Sequence, residues 1–220
     1  MALFIPKKVP LNWYQYDVSF SIELMRSFVQ SVEELAANSI LKYQTKKSEG
    51  GHQGLDEDTF DLREIFETYF PSLQRRSALL TVWGMFEHEL DRLCLLYQSG
   101  RGLAPLASNS RDKGIDRSTV YLEDVAGLEG LKASSQWDYL KIVQRIRNAI
   151  AHADGKLRDH EDEPKDEIFR DMKRLGFLSG DDEIVVAEGF LSKVVDACDA
   201  YFKLIAAAVA AKENPTSAKQ

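Results

Sequence analysis

Arg145, Arg147, Asn148 and His152 lie within two turns of one another in the stretch SSQWDYLKIVQRIRNAIAHADG, residues 134–155. A guanidinium can hold a phosphate through two parallel hydrogen bonds and never loses its charge. An imidazole can give or take a proton near neutrality, and an amide can orient either group. Together these types suit proton transfer at a phosphate ester. Placed on a helix at about 100° per residue, Lys141, Arg145, Asn148 and His152 share one polar stripe, while Arg147 borders the apolar face on its other side. An ideal helix points Arg145 and His152 in nearly the same direction and sets Arg147 and His152 about 140° apart. Arg147 can therefore join His152 if the last turn departs from ideal geometry or if two copies of the chain meet. Otherwise Arg145 is the working arginine.

The element that must carry these groups is an amphipathic helix. Tyr139, Ile142, Val143, Ile146, Ala149, Ile150 and Ala153 recur at the spacing of a single buried face. Gly155 is at ease in the left-handed conformation that closes many helices, which places the C-terminus near Asp154 and His152 in the last turn.

The run Arg147-Asn148-Ala149-Ile150-Ala151-His152 resembles the signature of the HEPN superfamily, an arginine separated from a histidine by four to six residues, with a polar residue, commonly Asn, after the arginine. Arg145 also satisfies that spacing. The resemblance implies an all-α antiparallel helical bundle with the motif closing one of its helices. It further implies metal-independent cleavage of RNA by attack of the ribose 2′-hydroxyl on its own 3′ phosphate, in a cleft composed by a homodimer. Arg147, Asn148 and His152 would be the catalytic residues, with Arg145, Lys141, Glu87 and His88 in support and no metal or cofactor. Many members of the superfamily are toxins or antiviral-defence effectors, so an antitoxin or another regulatory protein is an implied partner beside RNA. The alternative is a non-catalytic module of the same fold that binds nucleotide or RNA, or dimerises, without cleaving.

Composition sets limits on this picture. With 220 residues and 44 % hydrophobic content, the chain can bury one good core. A net charge of −7 argues against a general nucleic-acid coat protein. Positive charge is instead concentrated around the motif, at Arg111, Lys113, Arg117, Lys141, Arg145, Arg147, Lys156 and Arg158. The N-terminal stretch MALFIPKKVPLNW has no small-residue cleavage site, and no run of about 18 apolar residues exists to cross a membrane, so a cytoplasmic protein is expected. Cys94 and Cys198 sit among apolar helical residues without metal-ligand spacing and read as buried hydrophobes.

Along the chain, residues 1–16 read as an arm that packs Trp13, Tyr14 and Tyr16 on the body, residues 17–212 as a single helical domain, and 213–220 as a tail. A long helix is expected over 17–47, with Phe20, Ile22, Leu24, Phe28, Val32, Leu35, Ile40 and Leu41 supplying its apolar faces. A polar, Gly-rich loop follows, in which His52, Asp56, Glu57 and Asp58 match no metal-ligand pattern. A short helix over 61–70 ends at Pro71, and a central helix covers 72–98. In some families of the superfamily it resembles, this helix carries a polar residue toward the active cleft, for which Glu87, His88 and Asp91 of FEHELDRLC are the candidates, and Arg92 stands where a zinc motif would have its second histidine. Residues 99–117 read as a long loop, with a short helix near 122–128. Beyond the motif helix come an acidic loop holding His160, a short helix over 167–175, a small hairpin or an extended piece within 178–188 and a last helix over 188–212.

Overall fold

Ile22, Met25, Val29, Ala36 and Tyr43, with Val18 just before them, are all buried, at steps of three, four and seven residues, which defines the core face of the first long helix, α1 (Ser19–Ser48). The period is that of a helix packed along one narrow stripe. Phe20, Leu24, Leu35 and Leu41, expected to supply its apolar faces, fall off that stripe and are exposed. The computed structural model describes residues 13–48, 61–106, 113–159, 161 and 163–213. Residues 1–12 of the arm, the loop with His52, Asp56, Glu57 and Asp58, and also Arg111, His160 and the tail from residue 214 lie outside the described residues.

The protein is an all-α helical bundle with a single small antiparallel sheet among the described residues. After α1 come α2 (Leu62–Glu64), α3 (Phe70–Arg101), α4 (Ile115–Val120), α5 (Ser135–Ala153), α6 (Asp166–Leu175), strands β1 (Leu178–Ser179) and β2 (Val185–Val186), and α7 (Phe190–Glu213). π-helical turns at Tyr14–Val18, Ile65–Tyr69 and Tyr121–Val125 lead into or out of these helices.

Two boundaries differ from the sequence reading. Pro71 does not end the short helix. The π-helical turn Ile65–Tyr69 carries α2 directly into α3, and Pro71 occupies the first turn of the continuation. A wider turn relaxes the clash between the proline ring and the preceding carbonyl, so proline's missing donor does not break the run. The second difference is α4, which starts at Ile115 and so takes Arg117 out of the expected loop. Ile115 and Leu122 are fully buried and anchor it.

The fold divides into two compact units. Among the described residues, the first holds the chain up to Leu24, Trp83–Lys141, and everything from Val195 on. Its core is aromatic: Phe86 meets Phe202 at 5.1 Å and Trp83 at 5.5 Å in edge-on contacts, and Trp137 lies 5.8 Å from Tyr201. Trp13, 1 % exposed, packs edge-on against Phe202 at 6.0 Å, and the Tyr14 hydroxyl donates to Asp199. Cys94 and Cys198 are buried, free thiols.

The second unit holds Met25–Val82 and Ile142–Val194. Ile142, Val143, Ile146 and Ile150 of α5 are buried here with Ala78, Leu79 and Val82 of α3. The hairpin pairs Leu178 with Val186 and Ser179 with Val185. It is tied to α3 by Ser72, whose hydroxyl accepts from the Val186 amide at 2.9 Å. No helix among the described residues is long and apolar enough to cross a membrane.

Candidate functional site

Helix α5 is a regular α-helix from Ser135 to Ala153. Ser134 caps its start, with its hydroxyl accepting from the Trp137 amide at 3.1 Å. Its end is sharper than one glycine would make it. Asp154 and Gly155 both adopt positive φ, 50° and 71°, and the Gly155 amide reaches back to the Ala149 carbonyl at 3.0 Å. The chain then runs out along residues 182–184, with Leu157 donating to Asp182 and Ile184 donating to Gly155.

A buried arginine from α3 locks this corner. Arg76, 3 % exposed, donates to the Asp154 carbonyl, to the Asp154 carboxylate at 2.6 Å and to Glu183 at 3.3 Å. A Cβ on Gly155 would come within 3.0 Å of that guanidinium, so close approach as well as positive φ selects glycine there. Next to it, Arg75 pairs with Glu33 at 2.7 Å. Neither arginine was singled out from sequence. The signal was there: adjacent arginines inside a helix whose neighbours Leu79 and Val82 are core residues.

The regularity of α5 removes one of the ways for Arg147 to reach His152. With helical geometry kept through Ala153, the two side chains leave the axis about 140° apart. Arg145, the arginine that shares the direction of His152, is already committed. Its Nε and Nη2 hold both oxygens of Asp171 at 2.6 and 2.8 Å, and Glu167 stands 3.4 Å away. The hydrogen bonds that Arg145 donates to Asp171 raise the Arg145 pKa further. Arg147 is different. Its Nη1 donates to the Asn148 side-chain oxygen at 3.0 Å, its Nε is buried without a partner, and no carboxylate pairs with it among the described residues. His152 is exposed, and no described residue hydrogen-bonds or ion-pairs with its imidazole.

The other candidate residues belong to the first unit. Lys141 bonds Asp116 at 2.5 Å and lies 5.6 Å over the Trp137 ring. Glu87 accepts from the Trp83 indole at 3.0 Å, and His88 is exposed. Asp91 receives Arg117 at 2.7 Å. Most of the described basic residues read around the motif, Arg147 and Lys113 excepted, are therefore not free charge. Arg117, Lys141, Arg145, Lys156 and Arg158 each have a carboxylate within ion-pair distance, and they are divided between the two units. In a chain with 35 acidic and 28 basic residues, a base close in sequence to other bases still finds an acid across the fold.

Among the described residues no cluster of three or more His, Cys, Asp or Glu side chains is arranged to hold a metal ion. A scan of family models, a search of curated proteins and a search of solved structures each found no match to this chain.

Proposed function

We propose that two copies of this chain form a metal-independent endoribonuclease of HEPN type, with the cleft composed from the α5 ends of both. In this reading Arg147 binds the scissile phosphate and Asn148, already bonded to it, fixes the guanidinium plane. A neutral His152 takes the proton of a ribose 2′-hydroxyl, whose oxygen attacks the adjacent phosphorus while the bond to the 5′ oxygen breaks. The partner's His152, entering as imidazolium, gives its proton to that departing oxygen. The products are a 2′,3′-cyclic phosphate and a 5′-hydroxyl end, and the two imidazoles have exchanged protonation states.

The observation that carries the reading is the contrast along one helix. Arg145 and Lys141 are neutralised by carboxylates, whereas among the described residues no carboxylate pairs with Arg147 and no partner bonds the exposed His152. A guanidinium left without a carboxylate in a chain of charge −7 is open to an anionic ligand. The angle between Arg147 and His152 on a regular helix calls for a second chain, and so does the chemistry, since α5 of one copy offers one imidazole and two proton transfers are needed. Such an enzyme would act on cytoplasmic RNA as a toxin or antiviral-defence effector restrained by an antitoxin or other regulatory protein.

The test is incubation of purified protein with end-labelled RNA in EDTA, alongside His152→Ala and Arg147→Ala. Cleavage with cyclic-phosphate ends, lost in both variants, is the expected result. RNA binding that persists without cleavage in the wild type would establish the non-catalytic module instead, a reading favoured by the neutralisation of Arg145. Equal cleavage by His152→Ala would remove the nuclease assignment.

A further inference from the structure

A groove of about 480 Å³ opens in the second unit, lined by Lys42, Tyr43 and Lys46 of α1, by Phe66, and by Phe70 and Gln74 of α3. None of its described lining residues comes from α5, and its volume is that of a small-molecule site. Its wall is aromatic. Tyr43 stacks on Phe66 with ring centroids 5.0 Å apart and planes at 10°, and Phe70 stands edge-on to Phe66 at 5.3 Å and 87°. Tyr43 covers one face of Phe66, and Phe70, 40 % exposed, presents ring surface that a planar ligand can stack on or meet edge-on.

Charge on the rim is one-sided. Lys42 and Lys46 are exposed one turn apart, and neither pairs with a carboxylate among the described residues. No carboxylate is among the described lining residues, and Glu67, next to Phe66 in sequence, is held by Arg63 at 3.1 Å and by Gln44 at 3.1 Å. Like charges one helical turn apart repel each other, a cost that an anion bound between them reverses. Among the lining residues, the Gln74 side-chain oxygen is buried with no partner among the described residues, an acceptor that a turn of its amide would offer to a ligand amine.

A planar ring bearing an amine, with an anionic group a few bonds away, satisfies all three features, and a nucleotide has that chemistry. We propose that this groove binds the base and phosphate of a nucleotide, the base against the exposed Phe70 ring and the phosphate between Lys42 and Lys46. The nucleotide comes either free or as one unit of a single strand. Stacking on an aromatic wall beside a basic rim is how single-stranded nucleic acid is held without base-pair readout. The site is separate from the nuclease reading and stands if that reading fails.

Calorimetric titration of the full chain with AMP, GMP, CMP and UMP, and with a 2′-O-methyl hexanucleotide that cannot undergo transphosphorylation, tests it. Binding of mononucleotides identifies the free form as the source, and binding of the hexanucleotide alone identifies the strand. Either result must weaken at least about 10-fold in Lys42→Glu/Lys46→Glu and at least about 5-fold in Phe70→Ala. Lys42→Ala, at an exposed position, keeps the test open if the double variant does not fold. No binding of any probe at about 1 mM overturns the proposal. So does undiminished binding in the lysine variants accompanied by a lower melting temperature, which would assign Lys46 to the helix C-terminus alone.

Discussion

Arg145 holds Asp171 through two parallel hydrogen bonds, 2.6 Å from Nε and 2.8 Å from Nη2, with the carboxylate side chain 4 % exposed and the guanidinium 34 %. This pair joins α5 to α6 and takes the arginine that points the way of His152 out of the candidate chemistry. Arg145→Ala leaves a buried carboxylate without its partner and should cost about 2 kcal/mol of unfolding free energy, less than for a fully buried pair because the guanidinium is partly solvated. Urea unfolding of Arg145→Ala and Asp171→Asn measures it. Losses under about 0.5 kcal/mol in both would mean that the pair is a surface contact.

His152→Ala should leave stability within about 0.5 kcal/mol, since the imidazole is exposed and has no partner among the described residues. Cleavage should fall by about 10²- to 10⁴-fold. Arg147→Lys should fail to restore what Arg147→Ala loses, because an ammonium cannot make the planar bidentate contact. Full rescue by lysine would argue for a simple point charge at that position.

Gly155→Ala meets two obstacles, a φ of 71° and the Arg76 guanidinium 3.0 Å from the new methyl. The backbone alone costs about 1 kcal/mol. The displaced Arg76 should also loosen the end of α5, seen as faster amide exchange at Leu157 and Ile184, whose hydrogen bonds close that corner. Unchanged exchange there would separate the glycine from the Arg76 lock.

Burial pushes the Cys94 thiol up to about 12, and burial raises Cys198 as well. The folded state thus keeps these protons when the unfolded chain has lost them. Their contribution is intact below the unfolded pKa of about 8.5 and declines above it by about 1.4 kcal/mol per pH unit per thiol, until the folded value is passed. Melting temperatures between about pH 8 and 11 should therefore fall more steeply in the wild type than in Cys94→Ala. Parallel slopes would show that the thiol does not titrate across unfolding.

What the sequence determined by itself is what depends on neighbours along the chain. The spacing of Ile142, Val143, Ile146 and Ile150 defines the buried face of α5 because a helix repeats its own geometry, and Gly155 marks its end because local backbone conformation suffices. The hairpin at 178–186 was legible from its turn residues and β-branched run for the same reason. Which charges stay unpaired was not legible. Arg145 and Arg147 lie two residues apart with identical side chains, yet one meets Asp171, 26 residues further on, and the other meets no carboxylate among the described residues. Arg76 closes the end of α5 from a helix 78 residues away. Ion pairing depends on distances in space, and a sequence gives only distances along the chain.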